Sequence, residues 1–156
     1  KDARNTLPLD LTLGISEELI QAYIDSGTFL SDDAYYKLAI EESNNLISLN
    51  WDNYITYNNL IILYQKVGDV DNAYNAAKSM LSKFGEDYNI YKRLAYLEIE
   101  VQNLKENRSR DYSVFMDYYN KANELYDKEM RNNKNDIEMI RLGEIKAALV
   151  EGGWFE

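Results

Sequence analysis

The 156-residue chain contains no cysteine and no histidine. Without thiols there are no disulfides and no thiolate-held metals. Without imidazole there is no Ser–His or Cys–His nucleophile pair, no His-ligated zinc or haem, and no ordinary proton shuttle at neutral pH. The sequence therefore implies no cofactor and no metal. Positive charge is also scarce, with 17 Lys and Arg against 27 Asp and Glu and a formal net charge of −10. Binding to a phosphate backbone rests on Lys and Arg releasing counterions, so a nucleic-acid partner is not expected. No apolar run approaches the ~20 residues of a membrane span, so direct membrane insertion is not expected either. No signal-peptide pattern is visible, and a chain beginning at Lys1 reads as a fragment or a processed product. The compartment stays open between cytoplasmic and extracytoplasmic.

Proline occurs once, at Pro8, and glycine only seven times. Apolar residues recur at three-and-four spacing through most of the chain, which predicts an all-α fold of about seven helices. Residues 1–15 carry the only proline and no sustained period, and read as an extended N-terminal arm. Ser16 is then a candidate N-cap, with Glu17 and Glu18 in the first turn, an apolar stripe of Leu19, Ile20, Tyr23 and Ile24, and a stop at Gly27. The second helix opens at Ser31-Asp32-Asp33 with the stripe Tyr35, Leu38, Ala39, Leu46 and Leu49. A third runs from about Asn53 to Val67 and stops at Gly68, and Asp69 caps a fourth that ends before Gly85. Asp87 opens the fifth, Asp111 the sixth and Asp136 the seventh, which fades at Gly152-Gly153. Between the fifth and sixth lies the charged stretch Lys105–Arg110. It includes Asn107-Arg108-Ser109, a tripeptide of the glycosylation type that often arises by chance.

A period of 34 residues is embedded in this pattern. The stretch Tyr57-x2-Leu60-Ile61-x2-Tyr64-x3-Gly68-x4-Ala73 resembles the tetratricopeptide repeat (TPR), departing from it at Ile61, where that family usually has Gly. Thirty-four residues before Ala73, Ala39 heads a segment resembling the second helix of a preceding repeat, whose first helix fits poorly around Ser26-Gly27. Thirty-four residues after Tyr57, Tyr91, Leu94 and Ala95 take first-helix positions. The matching second-helix alanine, Ala122, lies 15 residues beyond its periodic place, which predicts longer helices and a projecting loop in that pair. Met139-x2-Leu142-Gly143 then reopens the motif. The resemblance implies an all-α, right-handed stack of antiparallel helix pairs over residues 16–156, with repeats at about 16–51, 54–87 and 88–135 and a half repeat at 136–151. An ordinary helical bundle is the rival, sharing the amphipathicity without the period. A narrower resemblance, carried by the interrupted third repeat and the Gly152-Gly153-Trp154-Phe155 ending, is to the C-terminal repeat regions of bacterial Ser/Thr kinases. That would put a catalytic domain upstream, since this chain has no Gly-rich phosphate loop, His-Arg-Asp or Asp-Phe-Gly motif.

The TPR resemblance implies a non-catalytic protein-interaction module that holds a peptide or helix in a groove lined by first helices. Carried over by position, the second repeat presents Ile55, Asn58, Asn59, Ile62, Gln65 and Lys66, and the third presents Asn89, Lys92, Arg93, Tyr96, Ile99 and Glu100. From these, Asn58, Asn59, Lys92, Arg93 and Tyr96 are the expected partner-binding residues. Asn59 and Arg93 fall where adaptor repeats clamp a carboxylate, a task suited to an amide donor and a planar guanidinium. Asn89 stands in place of the Lys such a clamp needs, and Ile24 and Thr28 occupy its first-repeat positions. Five tyrosines (57, 64, 91, 119 and 126) read as core, while Tyr112 and Tyr118 flank the insertion. Lys128, Arg131, Lys134, Arg141 and Lys146 form a basic cluster able to receive an acidic segment. The acidic pairs Glu17/Glu18, Asp32/Asp33, Glu41/Glu42 and Asp69/Asp71 read as caps and solvated faces. Two other readings remain open here: a small α-helical enzyme using carboxylates and Tyr, and a spacer or self-association unit of undetermined oligomeric state.

Overall fold

The computed structural model describes residues 9–49 and 53–155. Among the described residues seven α-helices follow one another: α1 Leu9–Leu30, α2 Asp33–Ser48, α3 Tyr54–Lys66, α4 Val70–Phe84, α5 Tyr88–Asn103, α6 Ser113–Glu129 and α7 Ile137–Glu151. There is no strand among the described residues. The chain divides within α4 into two compact units, residues 1–76 and 77–156.

The helix starts follow from side-chain chemistry. Asp32 Oδ1 accepts from the Ala34 amide at 3.0 Å, Asn53 from Ile55 at 2.8 Å and Asp69 from Asn72 at 3.2 Å. Asp87 accepts from Ile90 at 2.8 Å and Asp136 from Glu138 at 2.9 Å. Each bond satisfies an amide with no partner inside its own helix. The turn after α3 shows how compact the punctuation is. Gly68 adopts φ +79°, its N–H bonds the Gln65 carbonyl at 3.1 Å, and the Asp69 N–H bonds the Tyr64 carbonyl at 2.8 Å. This is the paired-bond helix ending in which a left-handed residue closes the last turn. Asp69 thus seals one helix and caps the next.

In the first unit, α1 and α2 pair and α2 packs on α3. Leu13, Ile20, Tyr36, Ala39, Leu46 and Leu63 form a buried cluster, with Tyr23, Ile24, Ile40 and Val67 against it. Several expectations are corrected here. Residues 9–15 are helical and not an extended arm, while residues 1–8 lie outside the described ones. Ser16 is a buried residue inside α1 and not its cap, and Glu17 and Glu18 sit mid-helix. Gly27 does not stop the helix. A Cβ there would lie 2.8 Å from the Tyr36 ring, so glycine is what lets α2 approach, and the Tyr36 hydroxyl meets Thr28 Oγ1 at 3.0 Å beside it. The buried stripe of α2 is Tyr36, Ala39, Ser43 and Leu46, whereas Leu38 and Leu49 are exposed. Ser43 is accommodated because its hydroxyl donates to the Ala39 carbonyl at 2.8 Å. Trp51 lies outside the described residues.

In the second unit, α5 and α6 pair and α7 packs against both. Ile90, Leu94, Ala95 and Leu97 of α5 and Phe115 and Ala122 of α6 are fully buried, as is Leu142 of α7. The helices of this pair run to 16 and 17 residues, against 13 for α3 and 15 for α4. The intervening loop includes a 3-10 turn at Asn107–Ser109. Arg110 clips the loop to the Lys105 and Asn103 carbonyls at 3.0 and 3.1 Å. The Asp111 N–H reaches Gln102 Oε1 at 2.9 Å, and Tyr112 donates to Asn103 at 2.9 Å. Trp154 meets the buried Tyr112 ring edge-on at 4.9 Å.

Ala39, Ala73 and Ala122, the alanines of the repeat pattern, are all fully buried. Overpacking such a contact costs about 1–3 kcal/mol. Ala73→Leu and Gly27→Leu are each expected to destabilise by that amount in urea unfolding. An unchanged midpoint for Ala73→Leu would show that the helix register is wrong.

Candidate functional site

The first unit carries an open cleft of about 170 Å³ lined by Glu17, Ile20 and Gln21 of α1 and Ile55, Thr56 and Asn59 of α3. Its two walls differ in chemistry. On α1, Glu17, Gln21 and Asp25 recur every four residues and so share a helix face, with Gln21 Nε2 donating to Asp25 at 2.9 Å. On α3, Ile55 and Asn59 bear the same relation, and Ile55 remains 66% exposed although it is large and apolar. Ile20 and Thr56 are buried beneath. Asn53, the cap of α3, donates to Glu17 Oε2 at 3.3 Å and so ties the start of α3 to the α1 wall. Glu17 is the one carboxylate among the lining side chains.

Asn59 is thus an expected partner-binding residue that lines a cleft. Asn58 is half-buried beside it on α3 and already engaged within the fold. Ile55, expected on the groove face, is exposed and lines the same cleft. Glu17 and Gln21 were missed as cleft residues, because Ile24 and Thr28 were assigned to the binding face of the first repeat. The repeat of polar side chains at 17, 21 and 25 was the available signal.

In the second unit, Lys92, Arg93 and Tyr96 come together on α5, where all three are engaged by α7. Lys92 is 4% exposed, and its ammonium lies 2.9 Å from both Asp136 Oδ2 and Glu138 Oε1. Arg93 Nη1 reaches Glu138 Oε2 at 2.9 Å, and the Tyr96 hydroxyl donates to the Glu138 carbonyl at 2.7 Å. Aromatic residues complete the cluster. Lys92 lies 5.7 Å from the centroid of the Tyr88 ring, Tyr88 packs on Tyr126 at 4.9 Å, and the Tyr126 hydroxyl accepts from the Asp136 N–H at 2.9 Å. Burial is the largest influence on both carboxyls and would raise their pKa. The bonds and charge of Lys92, joined by Arg93 at Glu138 and by the Glu138 amide and Tyr88 at Asp136, outweigh it and leave both lowered. Burial, then the Asp136 carboxylate, pushes the Tyr88 phenol up to about 12. The two cations expected to meet a partner therefore neutralise the first turn of α7. No local pattern foretold this, because 44 and 46 residues separate Lys92 from its two carboxylate partners.

The remaining candidates are dispersed. Asp32 and Asp69 are caps, but Glu42 is buried at 6% exposure, correcting its assignment to a solvated face. In the basic cluster, Lys128 pairs with Glu124 at 3.5 Å, Lys134 pairs with Asp127, and Lys146 lies 5.3 Å from the centroid of the Tyr119 ring. Tyr57, Tyr91 and Tyr126 are core residues as expected, while Tyr64 and Tyr119 are half-buried. Among the described residues no group of three or more Asp or Glu is placed to hold a metal ion, and no helix is long and apolar enough to cross a membrane.

No protein-family model and no curated protein sequence matches the chain. Among solved structures, the Sgt2 TPR domain from Aspergillus fumigatus superposes with a TM-score of 0.64, over 88% of this chain and 80% of that one, at 17% identity. At that identity the likeness is one of fold, and the fold is all-α and TPR-like.

Asp136 and Glu138 have folded-state pKa values below their unfolded ones. Their contribution is present above the unfolded values, about 3.9 and 4.3, and is lost as pH falls through the folded values. Thermal melts followed by circular dichroism from pH 7 to pH 3 are therefore expected to show Asp136→Asn losing less stability than the parent chain across the acid range. Removing one member of a buried ion pair costs about 3–5 kcal/mol, so Asp136→Ala is expected to lower stability at pH 7 by a few kcal/mol.

Proposed function

We propose that the chain is a protein-interaction module that takes a segment of a partner protein in the cleft between α1 and α3. The observation that carries this reading is the exposed Ile55 beside the half-buried Asn59 on a cleft floored by buried Ile20 and Thr56. An exposed apolar side chain next to amide groups is what a peptide needs: contact area for a side chain and hydrogen-bonding partners for its backbone. The TPR-like fold supports the same reading at the level of fold. Asn59 is assigned direct contact and Asn58 a position beside it. Arg93 and Tyr96 are assigned to a second contact surface on α5, which a partner reaches by competing with Glu138, whereas Lys92, 4% exposed, is assigned to holding the start of α7. The context is a larger protein, such as a bacterial Ser/Thr kinase, on the strength of the interrupted third repeat and the Gly152–Phe155 ending alone.

A random-peptide display library selected on the immobilised full chain tests the cleft. Enriched peptides are expected to lose about tenfold or more in affinity on Ile55→Asp, and a smaller factor on Asn59→Ala, with melting midpoints unchanged. No enrichment, or binding indifferent to both substitutions, would remove the proposal.

A further inference from the structure

We infer that the α1–α3 cleft selects a basic segment, one in which an apolar side chain stands next to Lys or Arg. This rests on the reading of the cleft as a peptide site and adds the chemistry of its occupant. Glu17 supplies a carboxylate to the lining, Asp25 continues the same α1 face, and no cation is among the six lining side chains. Lys66, further along α3, lies 5.4 Å from the centroid of the Tyr36 ring. One wall thus carries the single carboxylate Glu17 and the other combines an exposed Ile with an amide, so charge and apolar contact are offered side by side. A segment seated with its apolar side chain on Ile20 and Ile55 brings a neighbouring cation to Glu17. That carboxylate is held by the Asn53 amide at 3.3 Å and needs little ordering to meet it. A carboxylate-rich segment would instead set like charges against each other, which is how an interface rejects a wrong partner. The chain's net charge of −10 steers cations toward it in general, so the claim concerns the local Glu17 contribution above that background.

Fluorescence anisotropy on the full chain with three labelled nonapeptides in a Gly/Ser background tests this. The first carries one Leu flanked by Lys, the second replaces Leu by Ser, and the third replaces both Lys by Glu. The first is expected to bind at least about tenfold tighter than either other, and to weaken as salt rises from 50 to 500 mM through screening. Glu17→Gln should weaken it about three- to tenfold, whereas Glu18→Gln, on the exposed neighbour, should not. Glu17→Lys should shift preference toward the third peptide. If the first and third bind equally, or Glu18→Gln weakens binding as much as Glu17→Gln, the inferred selectivity is overturned, while sensitivity to Ile55→Asp would leave the cleft itself standing. If no peptide binding responds to Ile55→Asp, the cleft reading fails together with its occupant.

Discussion

Close approach of paired helices is the constraint on which the remaining structure depends. Small side chains let helices come near enough to exclude water, and such residues recur at the buried positions of both units. Gly27 admits the Tyr36 ring between α1 and α2, while Ala39, Ala73, Ala95 and Ala122 are fully buried. Interiors at crystal-like density leave no slack at these points, so the larger neighbours are fitted to them. The short turns follow from the same requirement. At Gly68 and Asp69 the chain ends α3 and starts α4 within a few residues, because a positive φ and a capping carboxylate are adjacent in sequence.

The parts of this architecture that are local in sequence were legible there. Caps at Asp69, Asp87 and Asp136, the turn at Gly68 and the burial of the periodic alanines were read from spacing and agree with the structure. The failures have physical causes. Gly27 resembles a helix end in sequence because glycine commonly serves there. Its actual role, making room for a ring on the next helix, depends on a residue nine positions away. The α2 stripe was misread because Ser43 interrupts the apolar period, and its hydroxyl is satisfied by its own helix. In the cleft, Ile55 and Asn59 stand on the face that the repeat spacing gives them, because α3 follows the repeat closely. Glu17 and Gln21 were not, because α1 begins earlier than its sequence suggested.

Charge is distributed by burial as much as by count. Lys92 and Arg93 sit on a helix of an acidic protein and are tied to Asp136 and Glu138, so the half-buried α5–α7 contact is nearly neutral. Few apolar residues of α7 are buried, with Met139 and Leu142 the two on that helix. Specific polar pairing therefore accounts for more of α7's seating than it does for α5 and α6, which share a broad apolar contact. In the first unit the cleft has no cation in its lining, which leaves the Glu17 carboxylate unopposed by a positive charge there.

The caps carry a further implication for solubility and compactness. Asp32, Asp69, Asp87 and Asp136 each place a carboxylate at the amino end of a helix, where the summed peptide dipoles present partial positive charge. A surplus of anions would ordinarily push a small domain apart through self-repulsion. Here four of them are seated against fixed backbone fields, so the protein keeps the colloidal benefit of a strong negative charge with less of its expansive pressure.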